Sequence, residues 1–392
     1  MTATESVAAH LGGDFLAQVY RRTHHIWKAA VPNAAALLSF NDLNGIIASH
    51  RLEPPRLRLS LNGEVLPLHR YGVPQTTRRN TVWQRTQPAQ LHTLLADGAT
   101  LVLDAIDEIH PPVNELAADL ERTLRTGVQV NAYASWTATE GFGTHWDDHD
   151  TVIIQVAGSK RWKIYGPTRL HPTYRDIETP SEPTGGPIDE FVLEAGDMLY
   201  VPRGHWHSVS ASEGMASLHV TCGLQTATGA DLITFMADEL RERETVRTDV
   251  PQFADITTRR LYLHQLVDEL AEHLEDQDVI ERFFTHRDVT DPGRLAPSLP
   301  FVVDVPEDKG LSVRLTTPRA HLSETDEAVR LRAGGEDWEF DLVVGPILTA
   351  LVGGRPVSLG DLAMRSGLPM SEVSKLVTEL VAHQVAALGS AP

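Results

Sequence analysis

The middle of the chain alternates apolar and polar residues over short stretches. Between about residues 128 and 225, segments such as "VQVNAYASW", "DTVIIQVAGSKRWKIYG" and "ASLHVTCGLQ" are separated by glycine, proline and aspartate. Several short strands with turn residues between them are typical of a β-sandwich or barrel. We therefore predict a β-barrel core over 128–225.

The residues before this core mix helical and extended patterns. "RLRLSLNGEVLPLH" alternates around Asn62-Gly63, a dipeptide that strongly favours a hairpin. "NDLNGIIASH" and "PPVNELAADLERTLRTG" repeat apolar residues at helical spacing. Their predicted N-caps are Asn41 and Asn114, and the second helix is predicted to stop at Gly127. These helices are expected to flank the barrel.

Helical spacing dominates beyond residue 225. "ADLITFMADELRERE" and "TRRLYLHQLVDELAEHLEDQDVIERFF" are amphipathic, so their apolar stripes need a partner surface. A second copy of the chain and the chain's own barrel both stay open as that partner. Further on, "FDLVVGPILTALVGG", "SLGDLAMRSG" and "PMSEVSKLVTELVAHQ" predict three short helices with caps at Ser358 and Ser371, the profile of a helix-turn-helix or winged-helix unit.

The predicted organisation therefore has three regions. Residues 1–225 form a mainly β catalytic domain with flanking helices, 226–295 form a helical and dimerising region, and 296–392 form a winged-helix-like domain. A length of 392 residues, with 42% hydrophobic and 22% charged residues, fits a globular protein of two or three domains.

Charge argues against a nucleic-acid partner. The net charge is -19, whereas phosphate-backbone binding is driven by lysine and arginine. Residues 296–392 contain 8 Lys/Arg and 13 Asp/Glu, and their predicted recognition helix carries Glu372, Lys375 and Glu379. We therefore expect a structural or protein-binding role for this region.

Cysteine content and hydropathy predict a cytoplasmic protein. The single cysteine, Cys222, excludes an internal disulfide, and nothing else indicates an oxidising compartment. The first residues lack a basic and then apolar signal-peptide pattern, and no run of about 18 apolar residues occurs. Neither a signal peptide nor a membrane span is expected.

Ionisable residues collect at the start of one apolar strand. In "FGTHWDDHDTVIIQV", His145 and Asp147 are two apart and therefore point to one face. Sixty residues after Asp147, the stretch "LEAGDMLYVPRGHWHSV" supplies His205 and His207. These two residues are also two apart and would point to the same face of a strand, so strand alternation does not choose between them. His207 is preferred because His205 lies inside the turn.

Two histidines and one carboxylate inside a β-barrel form the facial triad of non-haem Fe(II) oxygenases. This triad leaves coordination positions open for a co-substrate and dioxygen. The neighbours Asp148, His149 and Asp150 are interpreted as hydrogen-bonding or solvated residues. The sequence therefore predicts an iron site at the mouth of the barrel.

The segments "NAYASWTATEGFGTHWDDHDTVIIQVAGSKRWKIYGP", "LEAGDMLYVPRGHWHSV" and "SLHVTCGL" resemble the cupin-type Jumonji C (JmjC) family, specifically the ribosomal-oxygenase branch of 2-oxoglutarate-dependent protein hydroxylases. The resemblance implies a double-stranded β-helix (a jelly-roll or cupin barrel), a helical dimerisation region and a C-terminal winged helix. It also implies His145, Asp147 and His207 as ligands of Fe(II).

The same resemblance implies a 2-oxoglutarate site. Lys160, in "GSKRW", matches the basic residue that holds the distal carboxylate of this co-substrate, a sensible role for an ammonium group. Asn131 and Tyr133, in "VNAY", match residues that line the co-substrate pocket. His219, in "SLHVT", matches an inward position; it is either beside the co-substrate or a core histidine.

The resemblance implies hydroxylation of an amino-acid side chain of a protein, with arginine or histidine of a basic ribosomal protein as the expected target and a homodimer as the expected assembly. The stretch "TRLHPTYRDIETPSEPTGGPIDE" matches no substrate rule. A peptide or amino acid of a natural-product pathway is therefore an alternative target. A non-catalytic cupin-like binding protein is a further alternative, against which the triad and Lys160 argue.

Overall fold

The computed structural model describes residues 2–173, 180–211 and 215–390. The chain forms two compact units, Met1–Thr226 and Ala227–Pro392. Part of the stretch "TRLHPTYRDIETPSEPTGGPIDE" lies outside the described residues.

The first unit contains thirteen strands within the described ranges. They are β1 (His25–Trp27), β2 (Leu57–Leu61), β3 (Glu64–Val65), β4 (Gly72–Thr76), β5 (Val82–Thr86), β6 (Thr100–Leu103), β7 (Val128–Ser135), β8 (Asp150–Ala157), β9 (Ser159–Pro167), β10 (Asp189–Glu194), β11 (Met198–Val201), β12 (His205–Ala211) and β13 (Ser217–Leu224). The short strands predicted over 128–225 are confirmed as β7 to β13.

These strands form two antiparallel sheets that line one interior. The larger has the order β1-β11-β8-β13-β7-β6-β2-β3, and the smaller has the order β10-β9-β12. A third, two-stranded sheet pairs β4 with β5. The Asn62-Gly63 hairpin is confirmed between β2 and β3, with positive φ at both residues.

Side-chain alternation divides the interior into two layers. In β8, Val152, Ile154 and Val156 belong to a large core shared with the helices, whereas Ile153 belongs to a smaller cluster with Trp162 of the three-stranded sheet. The apolar run "TVIIQV" therefore supplies both a structural core and an inner wall.

Five α-helices flank this unit within its described residues. They are α1 (Ala3–His10), α2 (Gly13–Gln18), α3 (Phe40–Ser49), α4 (Pro88–Ala96) and α5 (Pro111–Leu124).

Three predicted helix ends in this unit were wrong. Helix α3 is capped by Ser39, which forms a reciprocal capping box with Asp42, so Asn41 already lies in the first turn. Helix α5 starts after His110, while the Asn114 amide donates to the Asp107 carbonyl at 2.9 Å. It ends at the left-handed residue 125 rather than at residue 127, because the chain already turns there.

The second unit is helical at first and mixed afterwards. Its helices are α6 (Gly229–Glu239), α7 (Glu244–Arg247), α8 (Ile256–Leu274), α9 (Val279–Val289), α10 (Gly345–Val352), α11 (Leu359–Ser366) and α12 (Met370–Ala382). Its strands are β14 (Leu311–Leu315), β15 (His321–Glu324), β16 (Ala328–Ala333), β17 (Glu336–Asp341), β18 (Val357–Ser358) and β19 (Ala386–Ser390).

The helices of this unit match the predicted segments with two corrections. The long helical segment is divided between α8 and α9, where the Asp276 side chain accepts from the backbone N–H of Asp278 at 3.0 Å and closes a local turn. The Ser358 cap is confirmed. The Ser371 cap was wrong, because Pro369 takes the extended N-cap position and Ser371 falls within the first turn.

The strands of this unit were not predicted. They form two three-stranded sheets, β18-β14-β19 and β15-β16-β17. One apolar cluster joins β14, β16 and α10 to α12. The helical dimerisation region and the winged-helix-like domain stay predictions. None of the helices in the described ranges is long and apolar enough to cross a membrane.

Candidate metal centre

Backbone pairing brings the three predicted iron ligands together. His145 and His207 exchange hydrogen bonds in an antiparallel pair, with N···O distances of 3.0 and 2.8 Å, so their side chains lie on one side. Their ring centroids are 4.3 Å apart. The backbone carbonyl of Asp147 accepts from the N–H of Gly204 at 2.9 Å. Donor atoms of His145, Asp147 and His207 all lie within 4.8 Å of one another.

A turn at Gly204 precedes His205, which is the first residue of β12 and not part of the turn as predicted, and a bulge separates His205 from His207. Gly204 has φ +80° in this turn, and a Cβ there would lie 2.5 Å from Cδ of Pro172, so glycine is required. The pairing register of β12 with β9 then shifts between Trp206 and His207, and such a bulge redirects the side chains that follow it. His205 stays outside the three-residue cluster.

The tautomers of both histidines suit metal binding. Nδ1 of His145 lies 3.1 Å from the Gly143 carbonyl oxygen, and Nδ1 of His207 lies 3.0 Å from the His205 carbonyl oxygen. A carbonyl oxygen only accepts, so each Nδ1 carries the proton and each Nε2 presents a lone pair. Nε2 of His207 points towards Oδ2 of Asp147, at 3.7 Å.

The protonation states also suit a divalent cation. Burial, followed by the adjacent His145, lowers the pKa of His207 to about 4, so this imidazole is neutral at pH 7. Desolvation raises the pKa of Asp147, but His207 and its other histidine neighbours lower it further than desolvation raises it. The group is therefore an ionised carboxylate beside neutral imidazole nitrogen, the donor set that non-haem Fe(II) takes.

Beside these residues, an inner cavity of about 170 Å³ lies between the two sheets of the first unit. Eight of its strand residues form four pairs two positions apart, because only one face of each strand points inwards. These pairs are Thr151 and Ile153, Lys160 and Trp162, His207 and Val209, and His219 and Thr221.

Lys160 lines the inner cavity together with Arg58 and Asp147. Its side chain is buried, at 3% exposure, and makes no hydrogen bond or ion pair with any residue the structure describes. Burial lowers its pKa to about 7. An unpartnered, buried ammonium at a cavity is suited to hold the carboxylate of a small anion.

Two further residues that the sequence analysis singled out, Tyr133 and His219, line the inner cavity and stack on each other. The rings of Tyr133 and His219 are 4.9 Å apart and nearly parallel, at 5°. Burial, and then Lys160, lower the pKa of His219, and its Nδ1 is buried without a hydrogen-bond partner. Burial and then Asp147 raise the pKa of Tyr133 to about 12, so its hydroxyl stays protonated.

Asn131 lies outside the inner cavity. It lines an adjoining pocket of about 550 Å³, which also contains Tyr133 and Asp147. Its side-chain oxygen accepts from the backbone N–H of Ala105 at 2.9 Å and from Nε2 of Gln129 at 3.1 Å. The structure therefore places Asn131 beside the site but away from Lys160.

The three polar neighbours of the triad behave as the sequence predicted. Asp148 and His149 pair with each other at 2.8 Å and are partly exposed. Asp150 is buried and accepts from the backbone N–H of Arg203 at 2.9 Å.

Sequence reasoning missed two residues of the site. Trp162 packs on His207 with ring centroids 5.6 Å apart, and its position two residues after Lys160 could have revealed it. Arg58 of β2 lines both cavities and holds Asp104 through two hydrogen bonds of 2.7 and 3.1 Å. No local pattern marks Arg58, because only the folded sheet brings β2 to the site.

Comparison with known proteins agrees with this geometry. Residues 108–232 match the family model described as the JmjC domain. The chain is 28% identical over 234 residues to the bifunctional lysine-specific demethylase and histidyl-hydroxylase NO66 of Drosophila mojavensis, covering 58% of this chain and 25% of that protein. It is 31% identical over 140 residues to ribosomal oxygenase 1 of Gallus gallus, covering 35% of this chain and 23% of that protein. The chain thus spans about a quarter of the length of these relatives.

Two solved structures match nearly the whole chain. The X-ray structure of E. coli ycfD covers 96% of this chain and 97% of its own, with a TM-score of 0.62 and 18% identity. The structure of YcfD, a ribosomal oxygenase from Escherichia coli, in complex with cobalt and 2-oxoglutarate covers 96% and 98%, with a TM-score of 0.60 and 19% identity. These likenesses confirm the predicted cupin-type fold.

Proposed function

We propose that residues 108–232, which match the JmjC family model, form a JmjC domain, and that the chain is an Fe(II)- and 2-oxoglutarate-dependent oxygenase that hydroxylates an amino-acid side chain of a protein. One observation carries the proposal: His145, Asp147 and His207 converge beside a cavity that also contains the buried, unpartnered Lys160. A metal triad and an anion-binding group in one cavity fit this chemistry better than either feature alone.

His145, Asp147 and His207 would hold the iron. When bound with 2-oxoglutarate and dioxygen, the iron supplies the oxidising power to attack an unactivated C–H bond. The chain itself provides fixed ligands, because the paired backbones of residues 145 and 207 set the distance between the imidazoles. The Nδ1–H groups held by backbone carbonyls keep each ring in the binding orientation.

Lys160 would bind the distal carboxylate of 2-oxoglutarate. The carboxylate would raise the lysine pKa from about 7, so the side chain would be charged in the complex. Ile153, Trp162 and Val209 line the same cavity and would exclude water around this pair. Tyr133 and His219 would limit the room beside it.

The first prediction tests the triad. Asp147→Ala should abolish stoichiometric Co(II) binding and succinate formation from 2-oxoglutarate, while leaving the melting temperature within a few degrees, because the side chain is partly exposed. Metal content and succinate can be measured on the same samples. The matched control is Asp148→Ala, one residue away and partly exposed, which should keep the metal. If both variants retain metal, the assignment of the triad is wrong.

A basic ribosomal segment is the proposed substrate. Support comes from the names of the relatives and from the net charge of -19, which suits a cationic partner. The adjoining pocket also presents acceptor groups from Gln129, Asn131 and Asp148. Mass spectra of ribosomal proteins from a wild-type and a deletion strain should differ by one oxygen at an arginine or histidine. Identical spectra would contradict a ribosomal substrate and would favour a peptide or amino acid of a natural-product pathway.

Homodimer formation and a cytoplasmic location complete the proposal. Helix α8 has no buried residue, although it carries several large apolar side chains. A second copy of the chain would cover them. The single cysteine, Cys222, is buried and forms no disulfide within the chain, which suits a reducing compartment.

A further inference from the structure

Charge is strongly segregated within the first unit. Residues 51–90 contain seven arginines, two glutamates and no lysine or aspartate, so their net charge is +5 (7 − 2), whereas the whole chain carries -19. Two of the arginines, Arg56 and Arg58, are neutralised by Glu108 and Asp104. The remaining five are exposed, and we call them the basic hairpin patch: Arg51, Arg70, Arg78, Arg79 and Arg85.

The basic hairpin patch keeps a net positive charge, because its five arginines outnumber the two acidic residues of 51–90. None of its guanidinium groups forms an ion pair with a carboxylate in the described part of the chain. Of the two nearby acidic residues, Glu53 accepts a hydrogen bond from the backbone N–H of Gln84, and Glu64 lies on the separate β2–β3 hairpin. Unpaired like charges close together repel one another, so an anionic partner would stabilise these arginines.

The patch is built on an ordered support. Tyr71 at the base of the β4–β5 hairpin is fully buried, and its carbonyl accepts from the N–H of Gln87 at 2.8 Å. At the tip, the N–H of Thr77 donates to the Thr81 carbonyl at 2.9 Å, and Oγ1 of Thr77 accepts from the N–H of Thr81 at 3.1 Å. These hydrogen bonds order the backbone that carries Arg78, Arg79 and Arg85 before a partner binds.

One face of the hairpin combines charge with an aromatic ring. Trp83 and Arg85 are two apart in β5 and share a face. The guanidinium of Arg51 lies over the Trp83 ring, 4.9 Å from its centroid. Gln75, the cross-strand partner of Trp83, and Asn80 at the tip of the hairpin are exposed neutral residues. Arginine, amide and hydroxyl side chains are the usual donors to phosphate and sugar, and an aromatic ring offers a stacking surface for a base.

We propose that the basic hairpin patch binds a single-stranded nucleic acid through its phosphates, with Trp83 and Arg51 stacking on one base. Arginine suits phosphate better than lysine because its planar donor group binds two oxygens at once. A membrane is a poorer fit, since Val82 is the one large apolar side chain exposed on the β4–β5 hairpin, at 60%. An acidic peptide would use the charge but not the stacking surface.

The test measures the binding of labelled oligonucleotides to the full chain by fluorescence anisotropy between 20 and 200 mM KCl. The probes are a 20-nucleotide uridine RNA and the matching thymidine DNA. Comparing their affinities distinguishes RNA from DNA as the preferred ligand. A labelled polyglutamate of the same length is the third probe. Wild-type protein should bind the oligonucleotides with an affinity that falls steeply with salt, and should bind polyglutamate at least tenfold more weakly.

Two triple variants test whether RNA binding depends on the basic hairpin patch or only on the net charge of the chain. Arg78→Ala, Arg79→Ala and Arg85→Ala together should weaken RNA binding at least tenfold and lower the slope of log affinity against log salt by about 2, at about 0.7 for each phosphate contact. The control removes three exposed arginines elsewhere, by Arg247→Ala, Arg260→Ala and Arg365→Ala, with the same change of net charge. It should change RNA affinity less than twofold.

Three outcomes would overturn the proposal: no salt-dependent binding of either oligonucleotide, equal losses in both triple variants, or equal affinity for polyglutamate and RNA. The last result would identify a surface for acidic peptides. Succinate formation with a peptide substrate should be the same in both triple variants, because neither changes a residue of the metal site. A failure of the proposed oxygenase activity would therefore be distinguishable from a failure of this inference.

Discussion

At the scale of single residues, burial of Lys160 suits it to bind 2-oxoglutarate but lowers the stability of the ligand-free protein. Its pKa of about 7 lies below the ordinary lysine value of 10.5 because the native cavity disfavours the charged form. Between these two pH values the unfolded chain binds more protons than the native protein, so native stability rises with pH there. Below pH 7 Lys160 is charged in both the native and the unfolded state. Burial of this charge then lowers the free energy of unfolding by about 5 kcal/mol, the value that corresponds to the full change in pKa.

Replacing this lysine should therefore stabilise the ligand-free protein. We expect Lys160→Met to raise the free energy of unfolding at pH 6 by a few kcal/mol, with a smaller gain at pH 9, where the native lysine is already neutral. The same variant should weaken 2-oxoglutarate binding at least tenfold. Urea unfolding at both pH values and calorimetric titration of 2-oxoglutarate in the presence of Co(II) provide the measurements.

A matched control exists on the same strand. Lys163 of β9 has the opposite parity, so its side chain lies on the other face and is partly exposed. Lys163→Met should leave both the pH dependence of stability and the affinity for 2-oxoglutarate unchanged. Loss of stability in Lys160→Met at pH 6 would mean that the lysine has a native partner.

The arrangement of the site was partly predictable at this scale. Strand alternation predicted a shared face for His145 and Asp147, but the structure places both outside its named strands, with His145 in an isolated bridge to His207. The inward direction of Lys160 does follow from the alternation of β9. Facing alone did not choose between His205 and His207, since the choice depends on a bulge that no residue pattern announces. Arg58 was missed because its place in the site depends on sheet order rather than on local sequence.

At the scale of secondary-structure elements, the cap of α3 gives a clear test. Oγ of Ser39 accepts from the N–H of Asp42 at 3.1 Å, and the Asp42 carboxylate accepts from the N–H of Ser39 at 2.8 Å. Ser39→Ala should lower the free energy of unfolding by about 1 kcal/mol, because one buried helix end loses its acceptor. Asn41→Ala should leave the free energy of unfolding unchanged, since Asn41 is exposed within the first turn.

Denaturant unfolding of both variants measures this difference. Equal losses in the two variants, or a larger loss in Asn41→Ala, would contradict the observed cap. The comparison also requires that Asp42→Ala lower stability by an amount similar to Ser39→Ala, because the two residues act as one reciprocal unit.

Element types were easier to predict than element ends. The strands over 128–225 and most helices follow from apolar periodicity, which reports on burial along many residues. A cap depends instead on which single side chain reaches a free backbone group, and several residues near each end carry suitable oxygen atoms. The strands after residue 310 were missed because they are short and rich in charged residues, as in "VRLRAGGEDWEF".

At the scale of the whole molecule, net charge conceals the distribution of charge. A value of -19 argues against nucleic acid only if the acidic residues are spread over every surface. The basic hairpin patch shows that they are not. Spatial position therefore has to be known before a net charge can exclude a class of partner.

The assembly state is the property of the whole molecule that α8 predicts. Five of its apolar residues are spaced as the a and d positions of a heptad repeat, and we call them the apolar stripe: Ile256, Leu263, Val267, Leu270 and Leu274. Each is at least 36% exposed, and three exceed 55%. Helix α8 is 19 residues long, so the stripe spans about 28 Å at 1.5 Å per residue. A stripe of that length is suited to pack against another helix with the same repeat.

A second copy of the chain provides such a helix in the required register by symmetry. Leu263→Glu with Val267→Glu should therefore convert a dimer into a monomer in sedimentation-velocity experiments at micromolar concentration, because four carboxylates would face one another at the centre of the interface. Leu261→Glu is the matched control, since Leu261 is 60% exposed on the same helix but lies outside the apolar stripe. The control should remain dimeric. Wild-type protein that sediments as a monomer, or a control that dissociates as fully as the double variant, would show that α8 is not the interface between copies.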